Sequence, residues 1–303
     1  MTHLCDAHCH FFSTRFLELL TKDMADLPAE GRGRAVASRL GWDDPGTPDA
    51  LADRWVEELD RHGVARAALI ASIPGDEPSV ESAVRRHPSR FVGYFMFNPA
   101  APDASERLEK ASGALRARTL RCIALFPAMH HYALDDERVE RVFGTAEAHG
   151  AAVFVHCGVL SVGVRKKLGL PSRFDLRRGD PLAAARMAAH FSRVPVIVPH
   201  FGAGLFREAL MAADQCPNVY LDSSSSNAWM RYHPRLTLAD VFRQALEVAG
   251  PDRLLFGTDS SFFPRGWQRP VHESQLAALD QAGADDTAAA KILGGNFERL
   301  FPL

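Results

Sequence analysis

The chain has no apolar run approaching the roughly 18 residues needed to span a bilayer, which excludes a transmembrane helix. Its first residues lack a basic segment leading into an apolar one, so no signal peptide is expected. Cysteine is scarce and poorly arranged for cross-linking. Cys5, Cys9, Cys122, Cys157 and Cys216 are odd in number and show no Cys-x-x-Cys spacing. That pattern fits free thiols in a reducing cytoplasm better than a disulfide framework. An excess of one charge is also missing. The 35 Lys and Arg stand against 37 Asp and Glu, a net charge of −2, so no nucleic-acid partner is expected. No internal repeat or low-complexity linker divides the chain. The serine run Ser223–Ser226 has no Gly-x-Ser-x-Gly context and reads as loop, not nucleophile.

What is present is enough for one large domain. At 303 residues with 47% hydrophobic content, the chain can bury a substantial core and disorder is not indicated. A single grammar recurs from residue 4 onward. Short apolar segments are expected as strands at 65–73, 90–97, 120–126, 151–156, 195–200, 218–222 and 254–259, after a first strand that carries His8 and His10. Amphipathic helices are expected between most of them, at about 49–62, 79–87, 103–118, 136–149, 181–191, 204–214 and 238–249. Near-continuous apolar strands alternating with helices imply a parallel sheet buried on both faces. Eight such units point to a closed (β/α)8 TIM barrel spanning 1–303. A doubly wound open sheet competes less well, because no Gly-rich phosphate fingerprint follows the first strand. Two loop insertions are expected, at about 11–48 and 158–180. In the first, residues 16–20 suit a short helix and Gly31-Arg32-Gly33-Arg34 suits a turn.

In a barrel of this kind chemistry sits at the C-terminal ends of the strands. In Asp6-Ala7-His8-Cys9-His10, two histidines at i and i+2 share one face of an extended segment and can reach one divalent cation. Taken alone, the pair could equally be a surface strand edge or two hydrogen-bonded histidines. Strand five ends in His156, strand six in His200 and strand eight in Asp259. Singly, each has a local explanation: capping a loop carbonyl, packing beside Phe201, bonding Ser260 or Ser261. Together, four histidines and an aspartate converge on one mouth of one barrel.

These segments resemble the amidohydrolase superfamily, in particular the amidohydrolase-2 branch that includes aromatic-acid decarboxylases. The resemblance rests on Asp6-Ala7-His8-Cys9-His10, Arg90-Phe91-Val92-Gly93, Val155-His156-Cys157-Gly158, Val198-Pro199-His200-Phe201-Gly202 and Asn218-Val219-Tyr220-Leu221-Asp222. It continues through Leu255-Phe256-Gly257-Thr258-Asp259 and the closing residues 292–301. It implies that His8, His10 and His156 bind one divalent metal with Asp259 as a further ligand, and that His200 stands beside water or substrate. Zinc is the first expectation and manganese the alternative. Strand four reads Cys122-Ile123-Ala124-Leu125-Phe126-Pro127 and lacks the lysine of binuclear relatives, so a mononuclear site is expected. No flanking β-sandwich is expected either.

The implied chemistry is hydrolysis, with Asp259 as base and His200 stabilising an oxyanion. Non-oxidative decarboxylation of an aromatic or dienyl acid is the alternative, and a catalytically silent ligand-binding barrel the third. Arg173 after strand five and Arg265 after strand eight are candidates to hold a substrate carboxylate, against the alternative of a solvated loop face. The same choice applies to Arg165, Lys166, Lys167, Arg177, Arg178 and Arg269. Phe12 and Trp267 are candidates to wall a flat substrate, as are Phe11, Trp229, Phe262 and Phe263. His130-His131 is a further candidate pair. The expected partner is a small-molecule substrate, with homodimerisation possible and a cytoplasmic location.

Overall fold

The computed structural model describes residues 3–224 and 227–303. Eight parallel strands follow one another in spatial order: β1 (Leu4–His10), β2 (Val64–Ala71), β3 (Phe91–Phe97), β4 (Cys122–Leu125), β5 (Ala152–Val155), β6 (Val196–Val198), β7 (Val219–Asp222) and β8 (Leu254–Leu255). Backbone hydrogen bonds bring the segment after β8 onto β1, from Ala7 to the Phe256 carbonyl, Asp259 to that of His8 and His10 to that of Ser260. The result is the expected (β/α)8 TIM barrel. β8 is shorter than expected, because beyond Leu255 only the isolated Cys9–Ser260 bridge continues the ladder.

Period-two alternation sorts the strand residues into two cores. Ala68, Ile70, Tyr94, Met96, Ala124 and Phe154 fill the barrel interior. Leu69, Phe95, Leu125, Val153, Val198 and Leu221 point outward beneath the helices. Phe297 and Phe301 close the N-terminal end of the barrel, where the Arg66 guanidinium donates to the Phe301 carbonyl.

The helices in the first half are α1 (Thr14–Leu20), α2 (Arg32–Leu40), α3 (Pro48–Arg61), α4 (Glu77–Arg86), α5 (Ala104–Arg116), α6 (Pro127–His130) and α7 (Glu137–His149). The second half adds α8 (Gly163–Lys167), α9 (Pro181–His190), α10 (Phe206–Gln215), α11 (Leu238–Val248) and α12 (Arg269–Ala282). Local chemistry sets their starts. The Thr47 hydroxyl accepts from the Ala50 amide with Pro48 in the first turn, and Thr237 and Asp240 form a reciprocal capping box. Leu51, Trp55 and Leu59, one turn apart along α3, are all buried.

One expected turn is a helix. Gly31 is the left-handed cap of α2, and Gly33 lies inside it. A Cβ on Gly33 would sit 2.6 Å from Thr14 Cγ2, so this glycine permits α1 and α2 to approach closely. Arg32 further ties the segment down by donating to the carbonyls of Thr21 and Met24. The first insertion thereby becomes a packed unit. Phe16, Leu17, Val36, Ala37 and Trp42 form a third cluster with Val164 and Leu168 from the loop after β5.

Candidate active site

A bulge shapes the first strand. Asp6 pairs with Ala67 and Cys9 with Leu69, so three steps on β1 match two on β2. His8 and His10 still share a face. Their ring centroids are 5.2 Å apart, and one ligand atom each from His8, His10 and Asp259 lie within 4.8 Å of one another. Asp259 Oδ1 is 3.1 Å from His10 Nε2 and 3.8 Å from His8 Nε2. His200 continues the cluster, 5.0 Å from His8 and 5.3 Å from His156 by ring centroids. His156 stacks on Phe126, and its buried Nδ1 has no hydrogen-bond partner among the described residues. The His8–His10–Asp259 trio does not include His156 or His200.

Hydrogen bonds on the far side of each ring determine which nitrogen faces the cluster. His8 Nδ1 lies 2.7 Å from Asp222 Oδ2, a carboxylate that can only accept. His200 Nδ1 lies 2.8 Å from the Ser224 carbonyl, which likewise can only accept. His10 Nδ1 lies 2.7 Å from Ser72 Oγ, whose own proton goes to the Ile70 carbonyl. Each Nδ1 therefore donates, and in the neutral ring each Nε2 is a lone pair. A bare nitrogen 3.1 Å from a carboxylate oxygen is repulsive unless a positive charge lies between them. This donor set fits a divalent cation, which takes deprotonated imidazole nitrogens and carboxylate oxygens.

Asp222, Ser72 and Ser224 are functional candidates that carried no assigned role in the sequence. Asp222 obeys the same rule as the others, a polar residue closing an apolar strand, and that signal could have found it. Asp6 supports the loop after β8 from below. Fully buried, it accepts from the His8 amide, the Thr258 amide and hydroxyl, and the Trp267 indole at 2.7 Å.

Charge follows this arrangement. Burial alone would raise the Asp259 carboxyl, but positive charge on the His10, His8 and His200 rings outweighs it and holds it well below the usual range whenever those rings are protonated. Burial disfavours charge on His8, yet Asp222 and Asp259 raise its pKa on balance. Burial lowers His10, His156 and His200, with neighbouring imidazoles adding to the effect. Backbone strain is concentrated here too. Asp259 (φ 60°), His200 (φ 55°), Phe201 (φ 51°) and Ala203 (φ 43°) are all left-handed, a region costing roughly 1–2 kcal/mol per residue outside glycine.

The remaining expected site residues separate. Phe12 stacks on Phe16 and Trp42 and lies 5.6 Å from His10, and Trp42 stacks on Phe262 at 3.8 Å. Lys167 Nζ is 5.9 Å from the Trp42 ring and 5.6 Å from Phe262. Arg265 reaches the same stack, 6.0 Å from Phe262. Trp267 is buried, with its amide bonded to Glu58 and its indole to Asp6, so it packs the loop beneath the site. Arg173 is exposed and forms no ion pair among the described residues. His130 is half-buried and stacks on Tyr132, its pKa lowered to about 4 by burial and by His131. Of the serine run, Ser223 donates to Gln275 and Ser224 Oγ lies on the acceptor side of the His8 and His200 Nδ1–H groups, at 2.8 and 3.0 Å, whereas Ser225 and Ser226 lie outside the described residues.

Imidazoles and a carboxylate gathered at the C-terminal mouth of a (β/α)8 barrel define a class, barrel enzymes built around a divalent metal. The chain belongs to the amidohydrolase family, whose model matches residues 5–303. No curated protein matches it in sequence. Solved structures share its fold at low identity. An amidohydrolase from Burkholderia multivorans with bound zinc is 16% identical, covers 99% of each chain and has a TM-score of 0.65. The 5-carboxyvanillate decarboxylase of Novosphingobium aromaticivorans, complexed with manganese and a nitrobenzoic acid, is 16% identical over 99% of this chain and 96% of its own, with a TM-score of 0.64. A probable 2-pyrone-4,6-dicarboxylic acid hydrolase from Acinetobacter baumannii, with citric acid bound, is 14% identical over 100% of both chains, with a TM-score of 0.61. No helix among the described residues is long and apolar enough to cross a membrane.

Proposed function

We propose that this amidohydrolase hydrolyses a C–O or C–N bond of a small, carboxylated or cyclic substrate. The observation that carries the proposal is Asp259, a carboxylate 3.1 Å from His10 Nε2 and still 26% exposed at the mouth, which would be ionised as a ligand of a cation. A group kept ionised must accept a proton before it can donate one, which suits a base better than a resting acid. A single divalent ion, zinc by preference and manganese as the alternative, would be held by His8, His10 and Asp259, with His156 as a further ligand. When bound it supplies Lewis acidity, polarising a substrate oxygen and acidifying water.

The chain's own residues do the rest. Asp259 takes the proton of the attacking water and passes it to the leaving group. Ser72 and Asp222 fix the tautomers of His10 and His8. His200 differs from the role expected of it. With its Nδ1 proton committed to the Ser224 carbonyl, the neutral ring accepts at Nε2 and orients water, and it can donate to an oxyanion only once protonated.

The stacked Phe12, Trp42 and Phe262 favour a second reading, decarboxylation of a flat carboxylic acid, with Lys167 and Arg265 near the stack to receive a carboxylate. A product assay on metal-reconstituted protein separates the two. Lactones, amides and aryl or dienyl carboxylates are offered, and acid, amine and CO2 are followed. Acid or amine release without CO2 supports hydrolysis. CO2 release from a carboxylate overturns it in favour of the lyase.

A further inference from the structure

The opposite face of the barrel carries a second cleft. Its cavity of about 370 Å³ is lined by Arg116, Arg118, Arg121 and His149, with Leu120 and Gly150 between them, and no carboxylate lines it. It lies where β4 and β5 begin, the end of the barrel away from His8 and His10. In a chain of net charge −2 this is an unusual local excess. Neither Arg116 nor Arg118 forms an ion pair or a side-chain hydrogen bond among the described residues, and Arg121 gives one N–H to the Pro302 carbonyl at 2.6 Å. Other arginines of this chain do find carboxylates, such as Arg86 with Asp53 and Arg138 with Asp136.

Two observations argue against a mere complement to the helix ends. The C-termini of α5 and α7 meet at this cleft, and each contributes about −0.5 of a charge. Together they offset about one of the three guanidinium charges and leave about two. Backbone conformation gives the second. Arg118 follows the end of α5 with φ 59°, a left-handed position that favours glycine. Where α2, α7 and α12 end on a left-handed residue in this chain, that residue is a glycine, Gly41, Gly150 and Gly283. The other strained residues include four at the candidate active site, and strain retained without glycine is a mark of functional positions. Burial, reinforced by the neighbouring Arg118 and Arg66, lowers the pKa of half-buried Arg121 to about 10.

We infer that the cleft between the ends of α5 and α7, lined by Arg116, Arg118 and Arg121, binds a small dianion, a phosphate monoester or a dicarboxylate. Guanidinium forks match both chemistries, and the volume exceeds that of a bare phosphate ion. The site is separate from the mouth, so its occupancy does not depend on the reaction proposed above.

The test is calorimetric titration of metal-loaded protein with glycerol 3-phosphate in one arm and succinate in the other, alongside thermal melting. Wild type is expected to bind one of the two with saturation and a raised Tm. Arg118→Gly is expected to weaken that binding by about tenfold or more, the scale of one lost charge-assisted contact, while its own Tm is unchanged or higher because the strained residue is gone. Which arm binds identifies the dianion. Equal binding by wild type and Arg118→Gly would place the anion elsewhere, at the mouth for example, and overturn the inference. Saturable binding of neither compound overturns it as well.

Discussion

Asp222 and His8, 214 residues apart in sequence, face each other at 2.7 Å in the barrel interior, and both are fully buried. The pair sets the tautomer of a ring whose other nitrogen points toward Asp259. Burying a carboxylate is costly, and His8 is what holds this one ionised against that cost. Replacing Asp222 with Asn is therefore expected to weaken metal affinity about 10- to 100-fold, the usual scale for such supporting partners. Competition with a fluorescent chelator measures the change. An unchanged affinity in a folded variant would remove Asp222 from the account.

Trp267 is a structural strut in this account. Its indole N–H reaches Asp6, which also holds the Thr258 end of the loop that carries Asp259. Trp267→Phe keeps most of the ring volume but takes one donor from a buried carboxylate, at an expected cost of about 1–3 kcal/mol. Urea denaturation reads that loss. If the residue instead walled the substrate, KM would rise with stability unchanged.

Much of this was legible from the chain, and for a definite reason. An apolar strand that closes on an imidazole or carboxylate stands out in any sequence, and His8, His10, His156, His200 and Asp259 all do so. The eight-strand barrel was readable from the same alternation of apolar strands and helices. What stayed hidden depends on distant partners. The role of Trp267 rests on a hydrogen bond spanning 261 residues. Trp42 joins the aromatic stack through a packed insertion whose helix α2 was masked by glycines read as a turn. Lys167 meets that stack only because the loop after β5 folds back over it.

Asp76 offers a pH signature away from the metal candidates. It accepts from the Ser13 and Ser79 hydroxyls, and burial raises its pKa to about 7. An unfolded aspartate titrates near about 3.9. Between these values the folded state keeps a proton that the unfolded state has lost. This contribution is therefore fully present below about pH 4, falls as pH rises and is lost by about pH 7. Asp76→Asn, neutral throughout, is expected to be the more stable protein at pH 8 by up to about 4 kcal/mol and to match wild type near pH 4. Thermal melts across that range check it, and parallel curves for the two proteins would contradict it.

Gly158 allows the loops after β5 and β6 to touch. It has φ +69°, and a Cβ there would stand 2.2 Å from the Gly202 carbonyl oxygen and 2.4 Å from that of Ala203. Gly158→Ala must displace the left-handed turn that presents His200. Activity is expected to fall steeply, with a stability loss of at least about 1–3 kcal/mol. Normal activity and Tm in that variant would show that the turn tolerates displacement.

The central claim is that His8, His10 and Asp259 hold one divalent ion on which activity depends. The most direct measurement is metal stoichiometry by plasma mass spectrometry, on reconstituted and desalted wild type and on His8→Ala combined with His10→Ala. One equivalent of metal in wild type and almost none in the double variant is the predicted result, with folding verified by circular dichroism. A full equivalent retained by the folded double variant would contradict the account.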